Sequence, residues 1–80
     1  MEKHLIKTLV DMAIFLEYTD PSLLDEDVAV AVLEQMSSEL QQMAADERKS
    51  LSQQIVALSS SYDGERREFV KKLPSALGIS

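Results

Sequence analysis

The groups in this chain best placed to do chemistry are four carboxylates, Asp20, Asp25, Glu26 and Asp27, held within eight residues. Hard oxygen donors in such a cluster are what a divalent cation prefers. The segment lacks the glycine-bearing loop of an EF-hand, and helix capping accounts for the same residues. Asp25 stands where an N-cap is wanted, and Glu26 and Asp27 fall in the first turn, where carboxylates meet the positive end of the helix dipole. No metal site is therefore read here. His4 is the single histidine and there is no cysteine, so neither a nucleophile with its base nor an ordinary zinc set can be assembled within one chain.

The remaining candidates have equally plain explanations. Glu34 and Glu39 are five residues apart and do not share a helix face, which rules out an obvious carboxylate pair for acid and base work. The Glu-x-x-His step of four-helix metal proteins is missing. Gly64 and Gly78 are too far apart to make a phosphate-cradling loop. Ser50, Ser52, Ser59, Ser60 and Ser61 are expected on the surface. Arg66, Arg67, Lys71 and Lys72 surround Phe69 and Val70 and straddle that apolar stripe as a snorkelling rim. An alternative use of this rim is docking onto the acidic first half, in the same chain or in a second copy. The chain is read as a non-enzyme that calls for no cofactor.

The elements that must position these groups follow from apolar spacing. Val28 to Met43 carries the strongest signal: Ala29, Leu33, Met36, Leu40 and Met43 succeed one another at steps of four and three, one stripe along an α-helix. From Val28 to Leu33 no position is polar, and a helix apolar all round must be covered all round. The spacing predicts a helix from about Glu26 to about Ala44. A first helix is expected over residues 2–18, with Leu5, Leu9, Met12 and Leu16 on the core line and Ile6, Val10 and Ala13 widening it. Ile14 and Phe15 fall among Lys3, Lys7, Asp11 and Tyr18 on the opposite side, where a later segment or a partner must cover them.

Asp20 before Pro21 predicts a turn of helix to Leu24, with Leu23 and Leu24 plugging the end of a bundle. Asp46 is placed to cap a third helix from about Glu47 to Tyr62, seamed by Leu51, Ile55, Leu58 and Tyr62. Asp63 and Gly64 break the chain, and a fourth helix from about Glu65 buries Phe69, Val70, Leu73 and Leu77. Pro74 predicts a kink or restart near Leu73, and Gly78 a C-terminal stop, after which Ile79 either docks or frays.

Length and charge bound the rest. Eighty residues make one domain, and one this short buries only roughly 60–65 % of its unfolded surface, so oligomerisation is a natural support. Two Gly and two Pro are too few for the corners of an all-β chain. The net charge of −6 has the wrong sign for a phosphate-backbone binder, which speaks against nucleic acid. It is also uneven: residues 1–45 hold nine acids and two bases, residues 46–80 five acids and six bases. No apolar run approaches the ~18–20 residues of a membrane span, and the absence of cysteine is compatible with the cytoplasm.

The expectation is an all-α, single-domain bundle of four helices over residues 1–80: a central hairpin at 26–62 flanked by N- and C-terminal helices. A homodimer is expected, with Ile14, Phe15, Val30, Val32 and Met36 at its interface. The function expected is a non-enzymatic protein-interaction module. The alternative is a small acidic inhibitor, of the immunity-protein or antitoxin kind, that neutralises a basic protein.

Overall fold

The first helix, α1 (Lys3–Tyr18), starts where the Glu2 carboxylate turns back to accept the backbone N–H groups of His4 and Leu5 at 3.0 and 3.2 Å. Two of the free donors at the helix start are satisfied this way. The computed structural model describes residues 2–80. α1 buries Ile6, Val10, Ala13 and Leu16, while Leu5 and Met12, expected on the core line, are 57 % and 50 % exposed. Relative to that expectation the buried face keeps Leu16 and is centred on the widening residues Ile6, Val10 and Ala13, a turn of the helix of less than the ~100° that separates neighbouring residues.

The cause of the turn lies on its polar side. Lys7, Asp11 and Tyr18, expected to face solvent, lean over the C-terminal half of the chain. Tyr62 donates its hydroxyl to Asp11, Lys7 reaches Asp11 Oδ2 at 2.8 Å and lies 5.4 Å from the Tyr62 ring centroid, and Tyr18 donates to the Glu65 carbonyl at 3.3 Å. Tyr18 also meets Phe69 edge to face at 5.7 Å, with the Arg66 guanidinium 4.8 Å over its ring. These polar and aromatic contacts draw that side of α1 inward. Ile14, which shares it, becomes half-buried, and the apolar strip on the far side is left outside.

After α1, Asp20 Oδ1 accepts the Ser22 N–H at 2.8 Å and the Asp20 carbonyl accepts Leu23 and Leu24, the single helical turn expected. Leu24 is half-buried, but Leu23 is 82 % exposed and plugs nothing. Asp25 then caps α2 (Glu26–Leu40), its Oδ1 accepting the N–H groups of Asp27 and Val28 at 2.8 and 3.3 Å. α2 ends earlier than its apolar stripe, because the Gln42 and Met43 N–H groups fold back on carbonyls three residues behind. This tightening begins the reversal into α3 (Ala45–Leu58). Asp46 is not the cap of α3. The first helical bond runs from Arg48 N–H to the Ala44 carbonyl, which puts Asp46 inside the first turn beside Glu47.

α3 closes through a 3-10 turn, Ser59–Ser61, in which Ser59 is buried and donates its hydroxyl to the Val56 carbonyl at 2.6 Å, so only its neighbours in the serine run keep the surface position expected. α4 (Gly64–Ala76) follows and stays helical through Pro74, with neither a break nor a restart at Leu73. The proline's missing N–H forfeits one bond, and with only Ser75 and Ala76 of the helix after it there is little left to kink. Its carbonyl is used instead: Ile79 N–H donates to Pro74 at 2.9 Å and Gly78 N–H to Ser75 at 3.1 Å, with Gly78 at φ +70°. That pairing is a Schellman stop, and it folds Ile79 back into the core, 4 % exposed.

The all-α fold of four helices is the one expected, and no strand occurs among the described residues. The difference lies in which helices are central. The core gathers Ile6, Val10 and Ala13 of α1, Leu51 and Ile55 of α3, Val70 and Leu73 of α4, and Leu77 and Ile79 of its end. α3 packs most closely on α4 and then on α1. α2, the helix with the strongest apolar signal, lies to the side against α1 and buries Ala29 alone, while Leu33, Met36 and Leu40 are half-covered. The radius of gyration, 12.3 Å, is near the ~12 Å of a compact chain of this length, so α2 is not exposed through any loosening of the fold.

Candidate interaction surface

Because α2 rests on one side of α1 and otherwise meets the end of α4, where Ser37 and Gln41 donate to the Leu77 carbonyl, the two helices leave two apolar features open. One is a strip along α1 made by Leu5, Thr8, Met12 and Phe15, residues spaced at i, i+3, i+7 and i+10 on one face. Phe15 is 52 % exposed, and no charged residue lies in the strip. The nearest part of α2 in character is its outer flank, where Val28 and Val32, one turn apart, are 52 % and 39 % exposed. Large apolar side chains are thus exposed on both helices, beside a core built from other residues.

The second feature is a groove of about 540 Å³ between the end of α1 and the start of α2. Leu16, Ala29, Val30 and Leu33 form its apolar floor, and Pro21 and Leu24 close one wall. Glu17, Asp20 and Glu26 stand around it, with no lysine or arginine in the lining. Hydrogen bonds from Ser22, its backbone N–H first, hold the Asp20 carboxyl below its ordinary value.

The five residues expected at an interface are thus divided. Phe15 lies on the α1 strip, Val32 on the outer flank of α2 and Val30 in the groove floor, each well exposed. Ile14 and Met36 are half-buried against the chain's own core. Leu5 and Met12 join the exposed set although their spacing gave them to the core. Their alternative was legible only as an ambiguity: α1 is apolar around more than half its circumference, and spacing does not say which part turns in.

The titratable groups singled out for chemistry are occupied structurally. Asp25 caps α2, Asp20 closes a turn, and His4 is exposed in the first turn of α1. Burial pulls the Asp11 carboxyl up, but hydrogen bonds from Lys7 and Tyr62 outweigh it and hold the group below its ordinary value. The Tyr62 phenol is pushed up by burial and then by the Asp11 carboxylate, and the Lys7 ammonium is raised by the same carboxylate against a smaller cost of desolvation. Among the described residues no three His, Asp or Glu side chains converge on a point that would hold a metal ion. Nor is any helix among them long and apolar enough to cross a membrane.

Three of the four basic residues of α4 are likewise engaged locally. Arg66 stacks on Tyr18, Arg67 donates from Nε to the Tyr62 carbonyl at 2.8 Å, and Lys71 pairs with Glu68 at 3.3 Å. No protein-family model, curated protein or solved structure matches this chain.

Proposed function

We propose that this chain is a non-enzymatic protein-interaction module that works through the α1–α2 side of its fold, with self-association along the outer strip of α1 as its first use. The observation that carries the reading is the strip itself. Leu5, Met12 and Phe15 stay outside a core that Ile6, Val10 and Ala13 already complete. Being free of charge, it can meet its own copy about a two-fold axis without bringing like charges together, although the whole molecule carries −6. Phe15 and Val32 are central to such a contact, with Ile14 and Met36 supporting it from beneath. The lack of cysteine fits a cytoplasmic setting for this role.

Light scattering tests the self-association. The wild type is expected to show a dimer mass at micromolar concentration, and Phe15→Arg a monomer mass with unchanged helical circular dichroism. A monomeric wild type across the micromolar range sinks the dimer.

A second reading is favoured by the acid-rimmed groove, whose lining holds Glu17, Asp20 and Glu26 and no cation. In that reading the chain is a small acidic inhibitor that neutralises a basic protein. A basic protein recovered with the tagged chain, and released by salt, supports it.

A further inference from the structure

We infer that the groove between the end of α1 and the start of α2 seats a cationic amphipathic helix of another protein, with an apolar anchor on the floor and lysine or arginine on either side meeting Glu17, Asp20 and Glu26. The inference rests on the protein-binding role proposed for this face and names the chemistry of its partner.

The floor supplies the anchor site. Val30, 52 % exposed, lies among Leu16, Pro21, Leu24, Ala29 and Leu33 in a lining that also holds Tyr18 and Thr19, and the groove's volume of about 540 Å³ lies within the ~300–1,000 Å³ of ligand pockets. The rim supplies the sign. Its three carboxylates stand in the half of the chain where nine acids face two bases. Neither base can neutralise them: Lys7 is held by Asp11, and Lys3 begins α1 while the groove lies at its other end. Arg66, stacked on the Tyr18 ring that also lines the groove, keeps its charge and offsets at most one of the three carboxylates. A long apolar side chain flanked by cations satisfies both requirements, the helix-in-groove mode with charges that steer the approach.

A second copy of this chain is a poor occupant. Three of the four cations of α4 are engaged on Tyr18, the Tyr62 carbonyl and Glu68, and no large apolar side chain of α4 is exposed to serve as an anchor beside Lys72. Groove against groove would set six carboxylates together.

The test uses the full chain, 15N-labelled, and a synthetic helical peptide with leucine on one face and lysine on its flanks. A second peptide carries glutamate in place of lysine. Saturable amide shifts are expected at the end of α1 and from Leu24 to Leu33, weakening several-fold as salt rises through the physiological range. The glutamate peptide gives none. Val30→Lys should weaken binding roughly tenfold, about 1.4 kcal/mol, whereas Val56→Lys, at an exposed position on α3 outside the groove, leaves it unchanged; both variants must keep the wild-type dichroism. Equal binding of the glutamate peptide, no saturable shift, or shifts confined to Leu5, Met12 and Phe15 overturns the groove assignment. In the last case the interaction module stands, and a monomer mass in light scattering leaves the groove result unaffected. Groove shifts that appear with protein concentration alone assign the site to a second copy and overturn the cationic occupant.

Discussion

Replacing Gly78 by alanine tests the closure of the fold at the point where α2 meets the end of α4. Gly78 has φ +70°, and a Cβ built on it comes within 2.6 Å of Gln41 Nε2 and 3.2 Å of Gln41 Cδ. Gln41 cannot stay: its Nε2 donates to Ser37 Oγ at 2.7 Å and to the Leu77 carbonyl at 3.3 Å, and both bonds depend on that position. The left-handed backbone costs alanine about 1–2 kcal/mol. Losing two partly exposed hydrogen bonds adds about 0.5–1.5 kcal/mol each at most, for a total of about 2–5 kcal/mol. A domain of this size is stable by only about 4–12 kcal/mol, so the loss is large, with a fall in Tm of about 4–8 °C for each kcal/mol lost. Gly64→Ala is the internal control. Its φ is +56° but its Cβ meets nothing within 4 Å, so only the backbone cost of about 1–2 kcal/mol remains. Urea unfolding of both variants, and of Gly78→Ala in a Gln41→Ala background, reads the difference as a coupling energy. Equal costs for the two glycines, or a Gly78→Ala cost unaltered by removing Gln41, refutes the reasoning.

Asp25→Ala removes the acceptor for two N–H groups at the start of α2 and should cost about 1 kcal/mol in urea unfolding, within a range of about 0.5–2. Ile55→Ala opens a cavity at a site with no exposure and should cost about 2–5 kcal/mol, against less than about 0.5 for Val56→Ala beside it, by the same measurement. Tyr62→Phe should destabilise the protein by an amount that is constant between about pH 5 and 9 and shrinks at both ends. Asp11 lies below its ordinary 3.8 when folded, so its share is present above that value and is lost as pH falls through the folded pKa. Tyr62 lies above its ordinary 10.0, so its share is present below that value and is lost as pH rises through the folded pKa. Denaturant midpoints across pH, for the variant and the wild type, check both limbs.

The four helices, their order and most of their ends were legible in residue types alone, because they depend on local signals. Asp25 before an apolar run, Asp63 with Gly64 and Gly78 near the end each act within a few residues, by capping or by a backbone conformation that only glycine takes freely. The seam of α3 was legible for the same reason: Leu51, Ile55, Leu58 and Tyr62 are its large apolar residues at helical spacing, and all four are turned inward. Spacing also brought Phe15, Val30 and Val32 forward as surface, since a helix apolar all round has to leave something uncovered in so small a protein.

What tertiary structure decided was the rotation and rank of the helices. α1 offered two apolar sides of similar strength, and contacts from residues about fifty positions away, Tyr62 on Asp11 and Glu65 on Tyr18, chose between them. Those contacts sent Leu5 and Met12 outward and Ile14 inward. α2 had the most apolar sequence yet became the outermost helix, because α3, α4 and the returning Ile79 fill the core before it can. A hydrophobic pattern states that a face must be covered. Which molecule covers it depends on volume elsewhere in the chain, and no local window contains that information.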